Sequence, residues 1–197
     1  AVTAVTVDGR ALLASAGGDA TVRLWDPADQ TQVGQPMTGH TGSVWAVTAV
    51  TVDGRALLAS AGGDATVRLW DPADQTQVGQ PMTGHTGSVW AVTAVTVDGR
   101  ALLASAGGDA TVRLWDPADQ SRVGQPMTGH TRSVWAVTAV TVGGRALLAS
   151  GGDDRTVRLW DPADQSRVGQ PMTGHTDWVR AVTAVTVGGR ALLASAG

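Results

Sequence analysis

Ala1 to Trp45 recurs without a single change as Ala46 to Trp90, and a chain built this way must fold as an array of equivalent units. Each copy has to form the same supersecondary unit and bury its apolar face against the next one. The third copy, Ala91 to Trp135, departs from the first at Ser121, Arg122 and Arg132. The fourth, Ala136 to Arg180, departs at Gly143, Gly151, Asp153, Arg155, Ser166, Arg167, Asp177, Trp178 and Arg180. The 197 residues are thus four copies of 45 (1–45, 46–90, 91–135, 136–180) and the first 17 residues of a fifth, 181–197. We treat 1–197 as one domain or as part of one.

The signals inside a copy all predict strand. Val44 to Val52 (VWAVTAVTV) is rich in β-branched residues, and Asp53-Gly54 supplies a tight hairpin turn. Ala56 to Ala61 is a second strand of small residues, ended by Gly62-Gly63-Asp64. Thr66 to Trp70 alternates again and meets the turn sequence Asp71-Pro72-Ala73-Asp74. Val78 to Met82 is a fourth strand, with Pro81 acceptable only at an edge. A helical-hairpin repeat would need a 3.6-residue apolar period, and none is present. Four short strands per copy is the pattern of a propeller blade.

Gly39-His40 and Trp70-Asp71, joined by the run LLASAGGDATVRLWD, resemble the two signatures of the WD-repeat family. The match recurs at Gly84-His85 with Trp115-Asp116, at Gly129-His130 with Trp160-Asp161, and at Gly174-His175. The resemblance implies an all-β fold, a β-propeller of four-stranded antiparallel blades, with four blades and two strands of a fifth in this chain. One departure stands out. The family's aromatic-Ser-Pro-Asp-Gly segment is replaced by Ala49 to Gly54 (AVTVDG), one residue longer, which predicts a small bulge there in the innermost strand.

His, Ser and Asp recur in every complete copy, and those three residue types make nucleophilic triads. The resemblance implies a structural role instead: a His before the inner strand bonds a Ser on the second strand, an Asp in the next turn orients the His, and a Trp indole N–H completes the network. Carried over, the sets are His40, Ser60, Asp64 and Trp70; His85, Ser105, Asp109 and Trp115; and His130, Ser150, Asp154 and Trp160. No catalytic residue is assigned. Identical copies do not readily supply the asymmetric set of tuned groups that an enzyme needs. No metal site is assigned either, because the histidines lie 45 residues apart and Asp153-Asp154 lacks calcium-loop spacing. A phosphate loop with its Lys is excluded, since the chain has no Lys, and no cofactor is expected.

Composition narrows the partners. The net charge is −3, and Arg and Asp are interleaved, so the basic face of a nucleic-acid binder is missing. No apolar run is long enough to span a membrane, and no signal-peptide pattern is visible. Cysteine is absent, which fits a reducing cytoplasm. Phe, Tyr, Ile, Lys and Asn, the residues of AT-rich codons, are absent too, which points to a GC-rich bacterial genome.

A protein partner remains. Trp45, Trp90 and Trp135 follow the Val that opens each inner strand, and alternation makes that Val the core residue. In the resembling family, positions near this point and before the turn Asp line the partner-binding face. That implies Trp45, Trp90, Trp135 and Arg180 as candidates, with Ser43, Ser88, Ser133, Trp178 and Asp153. The same Trp residues would also serve as packing between neighbouring blades. The ends are unfinished: Ser15, Asp19 and Trp25 lack an upstream His, while His175 and Ser195 lack a following Asp and Trp. Closure then comes from a second copy in a homo-oligomer or from further repeats of a longer chain. The expected function is a non-catalytic scaffold for protein–protein contacts, as the sensor or docking part of a larger signalling protein. The alternative is a structural or engineered array whose role is self-assembly into a ring.

Overall fold

The computed structural model describes residues 1–197 as eighteen strands and no helix. Strands β1 to β4 (Val2–Val7, Arg10–Ala16, Thr21–Asp26, Thr31–Thr38) form the first antiparallel sheet. Strands β5 to β8 (Val44–Val52, Arg55–Gly62, Val67–Asp71, Thr76–Met82) form the second, and β9 to β12 (Val89–Val97, Arg100–Gly107, Val112–Trp115, Arg122–Met127) the third. Strands β13 to β16 (Val134–Val142, Arg145–Gly152, Val157–Trp160, Arg167–Met172) form the fourth. Strands β17 and β18 (Ala181–Val187, Arg190–Ala196) pair as a two-stranded sheet. Every four-stranded sheet is an up-and-down meander in sequence order, which makes it a propeller blade.

Local sequence explains the connections. Asp53 and Gly54 both take positive φ, 49° and 78°, the geometry of a two-residue turn whose twist matches that of the flanking strands. The last strand of each blade lies at the outer edge, and this is where Pro81 sits. The inner strand is bulged, as expected, but in a different place. From Ala46↔Ala61 to Val52↔Arg55 the β5–β6 register runs without interruption, so Ala49 to Gly54 needs no bulge: the added residue lengthens the strand. The irregularity falls at the other end, between Val44 and Ala46, leaving Trp45 without a cross-strand partner.

Blades hold together through faces, not edges. The trailing face of the first blade (Val5, Leu12, Ala14, Val22, Leu24, Met37) packs on the leading face of the second (Val44, Val47, Leu58, Trp70). The same ten positions, moved by 45 residues, build the next two interfaces. A polar latch accompanies each one. The Gln35 N–H donates to Gln75 Oε1 of the next blade at 2.7 Å, and Gln80 and Gln125 do the same to Gln120 and Gln165 at 2.9 and 3.0 Å.

Inner strands β1, β5, β9, β13 and β17 pack in that order, and no comparable packing joins β17 or β18 back to the first blade. The arc is open, and both of its end faces are uncovered. Val185, Leu192 and Met172 are each about 41–42% exposed, whereas their counterparts Val50, Leu57 and Met82 are at most 5% exposed. At the other end Val2 is exposed, and Trp25 is only half-buried where Trp70 is buried.

Candidate functional site

Strand pairing sets Ser60 on β6 beside β7, and Trp70 on β7 brings its indole over that serine; the loop before β5 returns His40 to the same spot. The Trp70 Nε1–H donates to Ser60 Oγ at 2.7 Å, and Ser60 Oγ lies 2.7 Å from His40 Nε2. His40 Nδ1 lies 3.0 Å from both oxygens of Asp64. A neutral His40 with its proton on Nδ1 satisfies the chain: Trp N–H to Ser, Ser O–H to His, His N–H to Asp. The second set, His85, Ser105, Asp109 and Trp115, has the same geometry within 0.1 Å, and so has the third, His130, Ser150, Asp154 and Trp160. The structure therefore brings together each set expected from the sequence. Ser60, Ser105 and Ser150 are fully buried.

Asp64 has more partners than the sequence suggested. It also accepts from the Thr41 N–H at 3.1 Å, the Thr66 N–H at 3.2 Å and Thr66 Oγ1 at 2.8 Å, with the Arg68 guanidinium 3.5 Å away. Burial raises the pKa of this carboxyl, but the hydrogen bonds from His40, Thr41 and Thr66 outweigh it, and Asp64 stays below the ordinary carboxylate range. Asp109 and Asp154 are held down in the same way. Burial pushes the His40 and His130 imidazoles below their usual value despite the facing carboxylates, which favours the neutral ring. The Thr-x-Arg pair after each turn Asp was legible in the sequence as a recurring spacing, though not as a ligand set for that carboxylate.

The bulge at Val44 turns consecutive side chains apart. Val44 points into the interblade core, while Trp45 stands on the end of the blade, 46% exposed. Trp90 and Trp135 are placed by equivalent bulges. Ring centroids are 5.2 Å apart for Trp45–Trp90, 4.4 Å for Trp90–Trp135 and 6.3 Å for Trp135–Trp178, the last pair nearly parallel at 17°. In the fourth copy Arg180 occupies the bulge position, and Trp178 supplies the ring from two residues earlier. The Arg180 guanidinium lies 5.0 Å from the Trp178 ring centre and 5.8 Å from that of Trp135. The two sequence readings of these tryptophans meet here: the rings pack from blade to blade and also form a continuous row on the surface. Asp153 takes the Trp135 indole N–H. Ser43 and Ser88 donate to the Gly18 and Gly63 carbonyls of the preceding blade at 3.3 and 3.5 Å, while the Ser133 carbonyl accepts from the Asp153 N–H at 2.9 Å.

The opposite end of each blade carries a second repeated motif. Asp71, the Asp after the signature Trp, accepts from the Ala73 N–H at 2.8 Å and pairs with Arg55. Between the inner strands lies a hollow of about 650 Å³ lined by small residues such as Ala49, Thr51, Ala94 and Thr96. No group of three or more His, Cys, Asp or Glu side chains is disposed to hold a metal ion. No helix is long and apolar enough to cross a membrane.

The family model described as WD domain, G-beta repeat, matches residues 1–26, 31–71, 76–116 and 121–161. No curated protein matches the chain.

Proposed function

The chain belongs to the WD domain, G-beta repeat family, and from that premise we propose that it is a non-catalytic propeller scaffold that docks a protein partner on its tryptophan row. The observation that carries this reading is the row itself: four indoles from successive blades, closed at one end by a guanidinium, on one face. Trp and Arg are among the side chains that most often anchor protein interfaces: Trp brings a large rigid area with few rotamers to freeze, and Arg a planar, multiply donating cation that stacks on aromatic rings. Trp45, Trp90, Trp135, Trp178 and Arg180 are the contact residues in this proposal, with Asp153 holding Trp135 in place. The acidic balance disfavours nucleic acid.

The His-Ser-Asp sets resemble a hydrolytic triad in their bonding, yet their surroundings support a structural role. Ser60 Oγ already accepts the Trp70 indole N–H and is fully buried, so a substrate carbonyl has no approach to it. Three interchangeable sets also leave no single reaction centre. We place this scaffold as the sensor or docking part of a larger bacterial signalling protein. The test is partner capture from lysate by Trp90→Ala and Trp135→Ala variants whose circular dichroism is unchanged. Loss of capture supports the row as the docking surface, and undiminished capture by a folded double variant overturns it.

A further inference from the structure

Trp90 has a neighbouring indole on each side, with ring centres 5.2 Å away at Trp45 and 4.4 Å away at Trp135. Its faces are therefore taken, and what this half-buried ring turns to the surface is an edge. The face of an aromatic ring is electron-rich, while its edge carries the positive pole of the quadrupole. A row stacked in this way offers little to a cationic group, which needs an open face. It suits an electron-rich oxygen.

The chain itself shows which oxygen. Asp153 places a carboxylate on the Trp135 indole N–H, whereas the Trp90 N–H has no acceptor. Glycine stands where that carboxylate would begin: a Cβ on Gly108 would lie 3.5 Å from Trp90 Nε1, and one on Gly63 would lie 3.5 Å from Trp45 Nε1. Charge agrees with this. The Thr131 N–H bonds Asp154 at 3.2 Å, which sets Arg132 against the turn that carries Asp153, Asp154 and Arg155. Arg158 pairs with Asp154, but the exposed Arg132 and Arg155 form no ion pair. Arg132, Asp153 and Arg155 stand where earlier copies have Gly42, Gly63 and Ala65, so three departures from the repeat meet around one ring. The far end of the blades is acidic instead. Its hairpin tips in the second blade hold Asp53, Asp71 and Asp74 against Arg55 alone, and the third blade repeats this with Asp98, Asp116 and Asp119 against Arg100.

We propose that the tryptophan row takes an acidic segment of its protein partner, a proposal that rests on the reading of this row as the docking surface. Carboxylates of the segment lie along the ring edges beside Gly63 and Gly108 and pair with Arg132 and Arg155. The acidic far end repels the same segment, so the partner is steered to one end of the blades. Asp153 is an internal copy of the group that the partner brings.

Titration of the 197-residue chain with short synthetic peptides, followed by tryptophan fluorescence and calorimetry, tests this. An all-Glu peptide is expected to bind, to shift the tryptophan emission and to weaken as salt is raised, with an all-Gln peptide of equal length about tenfold weaker. Arg132→Gly with Arg155→Ala restores the residues of earlier copies and is expected to weaken all-Glu binding about tenfold. Asp153→Gly removes the competing carboxylate and is expected to bind the all-Glu peptide more tightly, although it is the less stable protein. Gly108→Asp fills the open place and is expected to bind it more weakly, although it is the more stable one. A loss of binding in a more stable variant cannot come from unfolding. Equal binding of the all-Glu and all-Gln peptides, preference for an all-Lys peptide, tighter binding of a short single-stranded DNA, or weaker binding by Asp153→Gly would each overturn the proposal. The docking reading is judged separately. A partner captured through Trp90 and Trp135 with no preference for acidic peptides leaves the row as the docking surface and rejects only its acidic specificity.

Discussion

The Trp135 indole N–H is bonded to the Asp153 carboxylate, while the equivalent N–H of Trp90, one blade earlier, is buried without any acceptor. The difference is one residue: glycine stands at 108 where the fourth copy has Asp153. A Cβ at Gly108 would meet nothing closer than the Trp90 Nε1 at 3.5 Å, ordinary contact, so an aspartate fits there. Gly108→Asp is expected to raise stability by about 1 kcal/mol, the worth of one satisfied hydrogen bond. Asp153→Gly is expected to lower it by a similar amount. Thermal melts followed by circular dichroism check both, and a lower melting temperature for Gly108→Asp would refute the account.

Ser105 serves two buried partners at once, Trp115 Nε1 and His85 Nε2, each at 2.8 Å. Ser105→Ala leaves both without a partner in a buried site, a loss of about 2–6 kcal/mol at 1–3 kcal/mol for each orphaned group. Ser15→Ala is the internal control. Its Trp25 is half-buried and no histidine reaches it, so water replaces the lost bond and the cost is expected to be well under half as large. Equal urea midpoints for the two variants would refute the claim that these sets act as buried structural networks.

The repeat carried most of the fold in view. Identical copies have to make identical interfaces, so the strand positions, the Asp53-Gly54 hairpin and the edge place of Pro81 could be read from pattern alone. The hydrogen-bonded sets were legible only by family resemblance, since nothing in spacing alone bonds side chains 10, 20 and 24 residues apart into one chain. The bulge lies elsewhere than expected because an extra residue can be absorbed by lengthening a strand. Only the register shows that the irregularity sits at Trp45. The Gln latch has no sequence signal for another reason. Gln75 meets Gln35 across a blade boundary, a contact set by the angle between sheets and not by any local pattern.

Titration of the buried sets makes stability depend on pH in a definite direction. Burial holds His40 and His130 below the ordinary 6.5, so the unfolded chain binds more protons than the folded one as pH falls through that value. Asp64, Asp109 and Asp154 are held below the ordinary 3.8, and their contribution is complete above that value and lost below it. Both effects have the same sign. Urea midpoints are expected to be flat above about pH 7, to fall as pH drops below 6.5, and to fall more steeply below 3.8. A midpoint that rises between about pH 7 and about pH 5 would contradict the neutral-histidine assignment.

The Gln latch depends on a glycine for two separable reasons. Gly79 takes φ +63°, and a Cβ there would collide with Gln120 Oε1, the atom that accepts the Gln80 N–H. Gly79→Ala therefore combines backbone strain of about 1–2 kcal/mol with eviction of the Gln120 side chain. Gln120→Ala alone removes one exposed hydrogen bond, about 1 kcal/mol or less. In the double variant the collision disappears, because no amide is left to evict, and only the strain remains beside the lost bond. The two substitutions should therefore cost less together than the sum of their separate effects, by about 1 kcal/mol in a double-mutant cycle. Simple additivity would mean that Gly79 is needed for its backbone conformation alone, and that the close approach of neighbouring blades plays no part in its placement.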